Sequence, residues 1–215
     1  MKTILRLLPW LLISAGLLRA QSETVDLRSH GKLTLYISDE WKLTTSDFGD
    51  RTIVTIEPKD EAVNAQFTMT VTYPEQDKFP TKAKLKQEVE TLSAPMAEQM
   101  VEGKAVAKEI RVRTGYGYMC SFTDPNLVGK PPIKGDYKVA SMGLVRIAPD
   151  IMAEISLMAD SFRTAPYQDL LGALEGMEYE PGRANRTKGM VLRPVVQPRI
   201  VRTIPASTPK TAGNF

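Results

Sequence analysis

The feature that most constrains this chain is the run from Val106 to Asp160, where period-2 alternation repeats with little but turns between the repeats. Tyr116, Tyr118, Cys120 and Phe122 alternate with Gly117, Met119, Ser121 and Thr123, the signature of a strand with one buried face. In the next run, Tyr137, Val139, Val145 and Ile147 share one face and Lys138, Ala140, Met142, Leu144 and Arg146 the other. Ile151, Ala153, Ile155, Leu157 and Ala159 repeat the pattern. Strands that follow one another through short turns pair as an antiparallel meander, so the run predicts four consecutive antiparallel strands. The second faces also carry Met119, Met142, Leu144, Met152 and Met158, more apolar than a solvated face. Both sides of this sheet are therefore expected to be covered.

Upstream, residues 25–28 and 32–37 flank Ser29-His30-Gly31 and predict a first hairpin, with Trp41 following as an anchor on the sheet edge. Residues 52–57 and 66–73 predict two more strands, the latter with Phe67, Met69, Val71 and Tyr73 inward. The period then changes. Leu85, Val89, Leu92, Met96 and Met100 form one stripe of an amphipathic helix over 81–102, kinked or broken at Pro95 and ended by Gly103. A second helix is expected over 164–176, with Thr164 as N-cap, Pro166 in the first turn and Tyr167, Leu170, Leu171 and Leu174 as its stripe. The fold class is thus α+β: a largely antiparallel sheet of about seven to eight strands covered by two amphipathic helices.

Residues 1–20 read as a signal peptide. Lys2 and Arg6 precede the twelve-residue apolar stretch 7–18, and Ala20 offers a small residue for cleavage. Twelve residues are too few for a bilayer span, which takes about 20, so no span is expected after cleavage. No cysteine lies near the junction, which excludes lipid attachment of the bacterial lipoprotein kind. The remainder is expected to be one globular domain over 21–180 and a basic, Pro-rich, disordered tail over 181–215. The tail has seven Lys or Arg and no acid, whereas 21–180 holds 18 basic and 25 acidic residues. The formal charge of +3 thus conceals a domain near −7 joined to a tail of +7. A single cysteine in an exported chain forbids an internal disulfide and suits a bacterial periplasmic or secreted protein.

No constellation carries catalysis. His30 and Cys120 are the only residues of their types, so the usual ligands for zinc, copper or haem cannot be assembled, and no cofactor is expected. His30 reads as a solvated turn residue and Cys120 as a core thiol. Asp124, Asp136 and Asp150 lie at strand ends, where acids commonly make turns. Two segments remain as contact candidates. The loop 124–134 is stiffened by prolines and offers Lys130, Pro131, Pro132 and Lys134; the tail offers Arg193, Arg199 and Arg202 between apolar pairs. The expected partner is a protein or an anionic envelope surface. Nucleic acid is not expected as a partner, since the tail lacks aromatic residues until Phe215 and the chain is expected to be exported.

The order of elements resembles the PsbP-like family of α/β/α sandwiches over residues 25–179. The resemblance rests on Ile37-Ser38-Asp39-Glu40-Trp41, Gly115-Tyr116-Gly117 opening a strand, and Ser161-Phe162-Arg163 closing the last one. Many members have Pro and Gly just before the tryptophan, where this chain has Asp39-Glu40. The resemblance implies a non-enzymatic binding or assembly module. The alternative is a small secreted enzyme or ligand-binding protein that uses the acids at the strand ends; the two readings part on whether those acids converge in a pocket.

Overall fold

The computed structural model describes residues 20–182. The alternating run folds as expected into β6 (Lys108–Ile110), β7 (Tyr116–Thr123), β8 (Val139–Ala148) and β9 (Ile151–Ala159), each antiparallel to the next. Beyond β9 lie β5 (Ala65–Thr72), β4 (Arg51–Pro58) and β3 (Trp41–Asp47), which gives a seven-stranded sheet in the order β3-β4-β5-β9-β8-β7-β6. β7 and β8 approach each other closely at one point. Gly143 sits opposite Met119, and a Cβ built on it would lie 2.1 Å from the Tyr118 carbonyl oxygen.

The first hairpin departs from expectation. β1 (Ala20–Asp26) and β2 (Gly31–Ser38) do not join the large sheet; with β10 (Glu178–Pro181) they make a separate three-stranded antiparallel sheet. The single sheet of seven to eight strands is therefore two sheets, and α2 (Ala165–Glu175) shares one face of the larger sheet with the smaller one. The cause is patterning. Leu33, Leu35 and Ile37 bury one side of β2, while Val54, Ile56, Phe67, Met69 and Val71 bury one side of β4 and β5; two one-sided sheets close on each other, with Leu170 and Leu174 completing the core. Trp41 begins β3, the edge strand of the large sheet, and is 5% exposed with its side chain in this core. Pro181, expected to open the tail, instead closes β10 opposite Gly31.

The other face of the large sheet is covered over β7 and β8 by α1 (Lys82–Ala97). Thr81 caps it, its Oγ1 accepting from the Lys84 backbone N–H at 3.3 Å. The helix stops at Ala97, short of the expected 102, and Pro95 lies in its last turn, so the helix runs through it without a break. The buried stripe is Leu85, Val89, Ser93 and Ala97, rotated from the expected one, and Leu92 is 59% exposed. The reason is that α1 covers two strands only, which leaves Leu92 over the open half of the face. Beneath the helix Tyr118, Cys120, Phe122, Leu144 and Met152 are buried. On the opposite face a chain of hydroxyls, Ser121 to Ser141 to Tyr167 at 2.7 Å each, ties α2 to β7 and β8.

The β5–α1 connection is fastened to β8 by a two-pronged pair. The Arg146 guanidinium donates from Nε to Asp77 Oδ1 at 2.9 Å and from Nη2 to Oδ2 at 2.5 Å. Those bonds hold the Asp77 carboxyl below the ordinary carboxylate range, against the opposing effect of burial. A folded-state value depressed in this way contributes stability that is present above the unfolded value and lost as pH falls through the folded one. We expect Asp77→Asn to flatten the acid limb of stability below about pH 4, the unperturbed carboxylate value, and to lower the plateau at neutral pH. Denaturant melts at pH 3 and 7 measure this; equal differences between variant and wild type at the two pH values would contradict it.

Candidate functional site

Four connections meet at one end of the sheets: Asp39-Glu40 between β2 and β3, residues 59–64 between β4 and β5, residues 124–138 between β7 and β8, and residues 160–164 before α2. The register places them together, because Trp41 opposes Pro58, Ala65 opposes Ala159, and Val139 opposes both Ala159 and Thr123.

The long loop 124–138 is held by one buried side chain. Asn64 donates from Nδ2 to Asp160 Oδ1 at 2.8 Å and to the carbonyls of Ile133 and Asp136 at 3.2 Å each, and its Oδ1 accepts from the Gly135 N–H at 3.0 Å. Two amide hydrogens serve three oxygens, so the two longer bonds share one. Lys134 adds a second brace, its Nζ donating to the Glu61 carbonyl at 2.8 Å and the Val63 carbonyl at 3.2 Å. A third comes from Lys138, which donates to the Lys130 carbonyl. Of the expected contact residues, Lys130, Pro131 and Pro132 are exposed on the tip. The ammonium of Lys134 is committed to the turn beneath, so it positions the loop. Arg193, Arg199 and Arg202 lie outside the described residues. The tip also exposes two apolar side chains that sequence reading passed over, Val128 and Ile133, at 59% and 54%.

Beside the loop lies a cavity of about 530 Å³. Trp41, Pro58 and Val63 give it an apolar wall, Ala165 and Pro166 bring the start of α2, and Asp39, Glu40, Asp60 and Asp169 stand around it with Lys59 as the single cation. The Lys59 Nζ is turned to the Asp39 carbonyl oxygen at 2.7 Å. Among the described residues none of the four acids has an ion-pair partner. The buried Trp41 indole N–H has no acceptor among them either. This cavity was not legible in the sequence. Its acids come from two connections and one helix far apart in the chain, and each taken singly is an ordinary turn or helix residue.

A smaller groove, about 260 Å³, follows the open side of α1, where Val89, Leu92, Met142 and Leu144 face Thr68, Thr70 and Glu154. None of Asp124, Asp136 or Asp150 lines either cavity. Asp124 and Asp136 flank the long loop, whereas Asp150 lies at the opposite end of the ten-residue β8, about 30 Å away at strand rise. These acids do not converge. Asp150 is instead 3.7 Å from Nδ1 of His30, which was expected to be a solvated turn residue; its ring stacks on Tyr73 with centroids 4.1 Å apart. Cys120 is fully buried, and burial pushes its thiol pKa up.

Among the described residues no group of three or more His, Cys, Asp or Glu is placed to hold a metal ion, and no helix is long and apolar enough to cross a membrane. Comparison with protein-family models and with curated proteins finds no match to this chain.

Proposed function

We propose that the chain is a secreted, non-catalytic binding or assembly module of PsbP-like architecture. Its contact element is the 124–138 loop, and its basic tail docks to an acidic protein partner or an anionic envelope surface. The observation that carries the reading is the Asn64 clamp. A buried amide with four hydrogen bonds holds a loop whose tip exposes Val128, Lys130, Pro131, Pro132 and Ile133. A fixed tip loses little conformational entropy on binding, which favours contact through few residues. The α/β/α family relation belongs to the same proposal and is supported by helical cover on both faces of the large sheet.

The test uses the full chain from its native envelope. Val128→Asp with Ile133→Asp places charges on exposed positions, so the melting temperature should hold while partner recovery in cross-linked envelope extracts falls at least about tenfold, as expected when anchors at an interface centre are lost. Removing residues 183–215 should likewise spare the melting temperature and weaken retention on anionic vesicles. The cut follows Gly182 because its N–H still donates to the His30 carbonyl at 3.1 Å. Unchanged recovery and unchanged vesicle retention together would refute the reading.

A further inference from the structure

We propose that the tail segment 190–202 docks in the acid-rimmed cavity beside Trp41 of its own chain. The segment reads Met-Val-Leu-Arg-Pro-Val-Val-Gln-Pro-Arg-Ile-Val-Arg, three arginines set among apolar residues with no acid. The cavity has the complementary arrangement. Trp41 and Val63 line its wall, and Asp39, Glu40, Asp60 and Asp169 are exposed around it without an ion-pair partner among the described residues. Trp41 is 5% exposed, so the cavity meets one edge of a side chain that is otherwise packed in the core.

Reach is sufficient. The described residues end at Gly182, next to the start of β2, and the cavity lies past the other end of that eight-residue strand, about 26 Å away at strand rise. Arg193 is 11 residues beyond Gly182, a span of up to about 36–40 Å when extended. Tethering also lowers the affinity that is needed. Effective concentrations in the millimolar range arise for a short linked segment, so a peptide that binds in trans with a Kd of about 1 mM is about half bound in cis. Docked in this way, the arginines are withheld from an anionic surface until a stronger competitor draws them out. The inference goes beyond the proposed function and does not depend on the identity of its partner.

Trp41 is a reporter built into the site, since Trp10 is the only other tryptophan. With Trp10→Phe in both, the full chain is compared with one ending at Gly182, and a synthetic 190–202 peptide is titrated into each. In low salt the Trp41 emission should differ between the two chains. The peptide should shift the truncated chain's spectrum toward that of the full chain and beyond it at saturation, and the full chain should respond with about half the amplitude, its cavity being about half filled from a tethered source. The difference should vanish near 1 M salt, where the screening length is about 3 Å. It should vanish also in Asp60→Asn combined with Asp169→Asn, exposed positions where the amide keeps the size and fold. Identical emission with no peptide response overturns the proposal. So does a peptide response unchanged in the double variant, which places binding elsewhere, or an equal response in both chains, which means that the cavity takes basic segments only from other molecules. Vesicle retention is a separate readout, so the failure of either idea is distinguishable from failure of the other.

Discussion

Phe67→Ala should lower the unfolding free energy by about 3–5 kcal/mol, the range for deleting a fully buried aromatic side chain. Phe67 lies at the middle of the molecule. It is inaccessible, sits on β5 between Ile56 of β4 and Leu157 of β9, and faces the three-stranded sheet and α2 across the core. Against a total stability of about 5–15 kcal/mol, such a loss leaves the variant near its folding threshold. Two controls separate cavity formation from general damage. Phe67→Leu should cost less than alanine because it keeps most of the volume, and Thr68→Ala, one residue along on the open face, should stay within about 0.5 kcal/mol. Urea melts with a common slope provide the numbers. A loss below about 1 kcal/mol for the alanine variant would mean that the two sheets do not close over this residue.

What the sequence showed of this fold follows from the range over which each signal acts. Alternation is local, so β7, β8 and β9, with their inward and outward residues, were readable from neighbouring positions. The existence of α1 and α2 was readable for the same reason. The phase of α1 was not, because Leu92 and Ser93 are chosen between by the width of the strip the helix covers, a property of strand order. Sheet membership is likewise non-local. Nothing within β1 and β2 says which sheet they join; that is decided by β10, whose Tyr179 hydroxyl donates to the carbonyl of His30, 149 residues earlier. The candidate site was partly visible. Prolines marked 124–134 as a stiffened loop bearing Lys130 and Lys134, but Lys138 fell outside those bounds, and the role of Lys134 depends on carbonyls of the β4–β5 turn that it happens to meet. The acid-rimmed cavity left no trace, because position 39 and position 169 become neighbours only after two sheets and a helix have packed.

The same argument isolates Asn64, a single polar residue before a strand whose partners follow 69 to 96 residues later. Replacing it by alanine strips the Gly135 N–H of its acceptor and the Asp160 carboxylate of a donor, and it frees the carbonyls of Ile133 and Asp136. Orphaned, partly buried groups of this kind cost about 1–3 kcal/mol. The cost should fall on the loop more than on the global fold, since the strands on either side keep their own ladders. Amide exchange over residues 128–136 should therefore quicken by roughly 10- to 100-fold, the factor equivalent to about 1.4–2.8 kcal/mol of local opening, while exchange in β8 and β9 changes less. Asn64→Asp sharpens the point. It keeps an acceptor for Gly135 but turns a second carboxylate toward Asp160 and the two carbonyls, so at neutral pH it should be worse than alanine and should recover on acidification, when a protonated carboxyl can again donate. If exchange in the loop is unchanged in Asn64→Ala, the loop is held by Lys134 and Lys138 alone, and a rigid contact tip can no longer be credited to the amide.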